Sequence, residues 1–276
     1  MTERSRASHR PSGPRRTASP SSVVLVIVAV LALAVIAGGF YLFGRSAPAP
    51  VGLDPSGRTP SPAPPSPAAE SVGPTSPGAA TAPPASASLA APLDGSWTVD
   101  PTIGNFADFS GSFVGYRVRE VLVGIGAATA VGRTPDVAGS IVVVGTTVTE
   151  ARFEVDLRAL RSDSAARDGQ LRRQGLETDR FPTASFVAAE PVELGRQPSV
   201  GEIVRVEAVG DLTIHGVTRR VTLPLEGRLN ADGTLTIVGS LEVDFADFGI
   251  AAPESFRVLS VEPRATIELQ LHLRRH

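Results

Sequence analysis

Cysteine is absent from all 276 residues, and so is lysine, because each of the 26 basic residues is an arginine. The first absence excludes disulfides, thiolate metal sites, a thiol nucleophile and a lipid-modified cysteine anchor, and it is compatible with an oxidising compartment. The second excludes a Schiff-base lysine and a Ser-Lys pair. Histidine is scarce: His9, His215, His272 and His276 are spread over the chain, and a catalytic zinc needs about three protein ligands, which these positions do not bring together. No Gly-x-Ser-x-Gly elbow occurs. The chain therefore reads as a non-enzyme with no metal and no cofactor.

Positive charge is also missing where a nucleic-acid surface would need it. Residues 94–276 carry 19 arginines against 25 acids, a net of −6, which argues against nucleic acid as a partner. Residues 1–22 are the opposite, with five arginines against Glu3. They precede Val23 to Phe43, a run of 21 residues without a charge. At about 1.5 Å per residue this run matches the ~30 Å hydrocarbon core of a bilayer. The expectation is a transmembrane helix over 23–43 with a cytoplasmic tail over 1–22, since only Arg45 follows closely. A cleaved signal peptide is the competing reading, with Ala47-Pro48-Ala49 as a loose cleavage site, but its apolar region is usually about 7–15 residues and proline suits the peptidase poorly.

Large apolar residues are rare over 44–93, where Pro, Ala, Ser and Gly dominate, as in Pro62-Ala63-Pro64-Pro65-Ser66-Pro67. Such a stretch buries too little surface to offset its ordering entropy and is expected to be a disordered, extended tether. From Ser96 the pattern turns to period two. Ala151, Phe153, Val155 and Leu157 alternate with Arg152, Glu154, Asp156 and Arg158, and Ile267, Leu269, Leu271 and Leu273 alternate with Glu268, Gln270, His272 and Arg274. Further strands are expected over Phe113 to Val123, Gly139 to Val144, Thr183 to Val192, Ile203 to Thr213, Val217 to Leu225 and Thr234 to Phe245, and one helix over Arg161 to Glu177. Eight or nine strands with one short helix fit a barrel or a sandwich equally, and periodicity does not choose between them. Gly124-Ile125-Gly126 lacks the third glycine and the following helix of a dinucleotide-binding turn, and is expected to be a flexible loop at a barrel mouth. Asp244 and Asp247 sit three apart near a strand end, where solvation or an Asx turn accounts for them without acid-base chemistry.

Three stretches decide more than periodicity does: Gly210-Asp211-Leu212-Thr213-Ile214-His215-Gly216-Val217-Thr218, Arg167-Asp168-Gly169-Gln170-Leu171 and Phe181-Pro182-Thr183-Ala184-Ser185-Phe186. With Asp247-Phe248-Gly249-Ile250 and the closing strand Ala265 to Leu273, they resemble the YceI-like polyisoprenoid-binding family over residues 94–276. Members are similar to lipocalins. The resemblance implies an all-β, antiparallel lipocalin-like barrel holding a long apolar chain: a polyisoprenoid, an isoprenoid quinone or another long-chain lipid. One face of each strand would line the cavity: Tyr116, Val118, Phe153, Val155, Leu157, Phe186, Leu212, Ile214, Leu241, Val243 and Phe245. The segment with Arg167, Asp168 and Leu171 would close over the barrel, with Arg167 and Leu171 reaching the ligand. His215 is either a headgroup anchor or a turn residue. Three family histidines are missing, with Arg119-Glu120 and Gln170 standing where two would be, and an insertion lies around Asn105 to Gly111. The resulting expectation is a membrane-tethered, extracytoplasmic lipid-binding module. A protein-interaction or stress-adaptor domain with a filled core is the alternative, and an enzyme acting on a lipid or quinone a third.

Overall fold

The alternating pattern becomes thirteen strands in the computed structural model, which describes residues 47–53, 93–252 and 258–276. In chain order they are β1 (Gly95–Val99), β2 (Phe113–Leu122), β3 (Gly126–Thr134), β4 (Val137–Val144), β5 (Thr147–Asp156), β6 (Arg161–Ser162), β7 (Thr183–Ala188), β8 (Val192–Glu193), β9 (Ile203–Ile214), β10 (Val217–Leu229), β11 (Leu235–Asp244), β12 (Val258–Val261) and β13 (Arg264–Arg275). Among the described residues one α-helix, α1 (Ala165–Gln170), runs into a π-turn, Leu171–Gly175.

Antiparallel pairing runs β1–β4–β5–β7–β9–β10–β11–β13, and β13 pairs back onto β1, closing a ring of eight strands. Closure removes exposed edges. β13 is long enough to serve two neighbours, pairing through Thr266 to Gln270 with β2 and through Leu273 to Arg275 with β1. β2 in turn carries β3 and β12, and β3 carries β6. The segment from β6 to the π-turn therefore lies at the end of the barrel where β2 and β3 add to the wall. The longest hairpin, β9–β10, sets Val217 opposite Ile214 around His215-Gly216, whose φ values of 54° and 73° are those of a type I′ turn.

Three expectations are corrected here. The helix expected over Arg161 to Glu177 is shorter, because Arg161 and Ser162 pair with β3 and the chain is helical only from Ala165, with the Ser164 hydroxyl accepting from the Arg167 amide at 3.4 Å. The loop expected from Gly124 is a three-residue turn, and Gly126 to Thr134 is β3, a Gly/Ala-rich strand with little apolar contrast between its faces. The strand expected over Thr183 to Val192 is divided, and its end, β8, pairs with β5. The tail over 1–22 and the apolar run over 23–43 lie outside the described residues, and among the described residues no helix is long and apolar enough to cross a membrane. Of the stretch read as linker, residues 47–53 and Leu93 are described. Both lie against the barrel, with Leu53 and Leu93 buried.

Candidate ligand site

Because strand residues alternate sides, one face of every strand in a closed barrel points inward. On β13 these are Ala265, Ile267, Leu269, Leu271 and Leu273, on β2 Tyr116 and Val118, on β9 Ala208, Leu212 and Ile214. They leave a cavity of about 300 Å³ with an almost wholly carbon surface, at the lower end of the range typical of ligand pockets. Leu160, Arg167, Leu171 and Leu176, from the segment between β5 and β7, cap one end, and Leu93, Leu194 and Pro198 contribute at the other.

Thirteen of the fourteen residues expected to meet a ligand line this cavity: Tyr116, Val118, Phe153, Val155, Leu157, Arg167, Leu171, Phe186, Leu212, Ile214, Leu241, Val243 and Phe245. His215 does not. Its ring turns to the protein, with Nδ1 donating to the Phe248 carbonyl at 3.2 Å and Nε2 3.4 Å from Glu177 Oε1. The Phe181 ring packs edge-on to it with centroids 4.4 Å apart. These contacts fix a non-glycine residue in a left-handed turn conformation that side chains rarely adopt.

The carbon wall is interrupted at the capped end by an ion pair. Arg167 Nη2 donates to Glu120 Oε1 at 2.6 Å, and Nη1 pairs with Asp163. Burial alone would lower the Arg167 pKa, but the Glu120 and Asp163 carboxylates outweigh it and the value is raised. Tyr116 lies beside the pair. Burial pushes its hydroxyl far above the usual range, opposed by Arg167 and reinforced by Asp168, Glu120 and Asp163. Asp168 itself faces away from the chamber, accepting from the Ser162 hydroxyl at 2.6 Å and the Ser162 amide at 3.0 Å, and so ties α1 to β6. Glu120 was read only as part of the pair standing where a family histidine would be and not as a ligand contact, although it continues the inward series Tyr116, Val118.

The outer face of the same wall departs from expectation. Glu268, Gln270 and His272 alternate as a polar face, yet all three are buried. Glu268, 1% exposed, accepts from Arg117 Nε at 2.9 Å and from Arg133 Nη2 at 3.3 Å. The Arg133 guanidinium packs over the rings of Phe109 and Phe113, at 4.5 and 4.3 Å, in the corner these two edge-to-face rings make. Gln270 donates to the carbonyls of Phe109 and Gly111, both at 2.9 Å. The cover is thus the Asn105 to Gly111 segment, joined by residues 47–53, where the Pro48 carbonyl accepts from Arg117 at 2.7 Å. Asp244 is accounted for by Arg264 at 2.9 Å, and Asp247 is exposed. Among the described residues no group of three or more potential metal ligands converges.

The YceI-like domain family is matched over residues 97–273. The chain belongs to it. A solved polyisoprenoid-binding domain from Saccharophagus degradans, implicated in plant cell wall breakdown, is similar to this YceI-like chain with a TM-score of 0.52 and 20% identity, covering 65% of this chain and 98% of that one. That likeness bears on the fold. BcnA of Burkholderia cenocepacia is similar at 18% identity and a TM-score of 0.45, over 58% of this chain and 95% of its own. A UPF0312 protein of Vibrio vulnificus (strain YJ016) is 30% identical over 102 residues, 35% of this chain and 50% of that protein. The YceI-like chain thus spans about half the length of the curated relatives it matches.

Proposed function

We propose that this YceI-like barrel is a non-catalytic carrier that takes a long apolar chain of the polyisoprenoid type into its cavity. The observation that carries the reading is the carbon-lined chamber of about 300 Å³ inside a closed barrel. A module built only for interaction would have filled that space with side chains. The Saccharophagus degradans domain, described as polyisoprenoid binding, supports the same ligand class. Each methylene moved from water into the cavity gains about 0.8 kcal/mol. The natural source is a bilayer that is already apolar, so the net preference is small and suits reversible handover. We further propose that Val23 to Phe43 anchors the chain in the cell membrane, with the N-terminus cytoplasmic and the barrel in the envelope outside.

Extraction of lipid from the full chain purified out of its own host, with native mass spectrometry alongside, tests the carrier reading. A long-chain lipid bound one per barrel is expected. Barrels that arrive empty and stay empty after incubation with isoprenoid-bearing vesicles would favour the interaction module instead.

A further inference from the structure

Resting on the carrier reading, the geometry points to a headgroup site at Glu120 and Arg167 that accepts uncharged, oxygen-bearing heads and rejects phosphate. These two side chains are the charged groups of the cavity's capped end, both largely buried, and they hold each other at 2.6 Å. Arg167 is the cation that would attract a phosphate, but it is already engaged. Its Nη2 serves Glu120 and its Nη1 serves Asp163. Arg167 thus meets two carboxylates in direct contact, Glu120 and Asp163, and the three groups together carry a net negative charge.

A phosphate entering here has two routes, both unfavourable. It can approach the negative cluster as it stands, against like charge. Otherwise it can displace Glu120 from Arg167, which strands a buried carboxylate against a carbon wall without its cation. A hydroxyl head avoids both. It donates to the remaining lone pairs of Glu120 and accepts from a guanidinium N–H that neither carboxylate occupies, so no ion pair is broken. A quinone carbonyl uses only the second of these contacts. The favoured occupant is therefore an isoprenoid alcohol, followed by an isoprenoid quinone, with the phosphorylated isoprenoid excluded.

The full chain is incubated with vesicles containing equal amounts of a polyprenol, its monophosphate of the same chain length and a menaquinone. It is then repurified, and bound lipid is quantified by mass spectrometry. We expect alcohol to exceed phosphate by on the order of tenfold or more, as expected when loading would break a buried pair. Glu120→Gln removes the carboxylate facing the chamber and is expected to draw the ratio toward one. Asp163→Asn, at the exposed edge of the cluster, shifts it the same way by less, and carries the test with the wild-type ratio should Glu120→Gln fail to fold. Equal loading of alcohol and phosphate by the wild type, or a ratio unmoved in folded variants, overturns the headgroup proposal alone. Loading of none of the three lipids overturns the carrier reading, and this proposal falls with it.

Discussion

The two faces of β13 are both buried, and they are buried in opposite ways. Inward, Ile267, Leu269 and Leu271 border open space and need nothing from their neighbours beyond dispersion contact. Outward, Glu268, Gln270 and His272 lie under the Asn105 to Gly111 segment, where the polar atoms are held by specific partners except Arg133 Nε and His272 Nε2, which have none. A wall facing a cavity tolerates change in shape because a mobile chain can adapt to it. A wall facing a packed loop does not, because each unpaired polar atom carries its full desolvation cost.

That contrast yields its largest effect inside. Phe153→Arg sets a guanidinium on the cavity wall, where it must either lose its hydration at several kcal/mol or occupy the chamber itself. Lipid recovered per folded protein should fall to background, measured by extraction after size-exclusion chromatography. Next is the outer face. Glu268→Ala leaves Arg117 and Arg133 buried without their shared carboxylate, and a cost of about 3–5 kcal/mol in urea unfolding is expected for a broken buried pair. Folded Glu268→Ala protein should still hold lipid at the wild-type ratio, so the two substitutions separate binding from stability.

The smallest effect is a pH dependence from His272. Burial lowers its pKa from the ordinary 6.5, with the Ser110 backbone and Asp232 opposing and Arg228 acting in the same sense as burial. A depressed folded pKa means that the unfolded chain takes up the proton first. The contribution is complete above about 6.5 and is lost as pH falls from there through the folded pKa. Stability should decline from neutral pH toward pH ~5 in the wild type and more shallowly in His272→Gln, before carboxylate titration begins to act near pH ~4.

Much of the inner wall was legible in the sequence, because alternation and closure fix which side chains point inward once the strands are found. The period put Leu212 and Ile214 on one face, and the resemblance to a barrel family put that face inside. β3 was not legible, since Gly126, Ala127, Ala128 and Ala130 offer almost no difference in hydropathy between faces. The burial of Glu268, Gln270 and His272 was not legible either. It depends on residues about 160 positions away in the chain that fold over the wall, and no local period carries that information. His215 shows the limit of a motif: its residues mark the β9–β10 turn correctly, while the direction of its ring is set by Glu177, Phe181 and Phe248, which lie outside the motif.

The central claim is that a lipid chain occupies the inner wall, and photolabelling tests it most directly. A polyprenol carrying a diazirine midway along its chain is loaded into the full-length protein and irradiated, and the modified peptides are mapped by mass spectrometry. The account predicts labels on cavity-facing residues such as Phe153, Val155, Leu212 and Leu241. Labels confined to outward positions, such as Val123, Ile125 and Leu259, which are exposed apolar residues of the β2–β3 turn and β12, would contradict it.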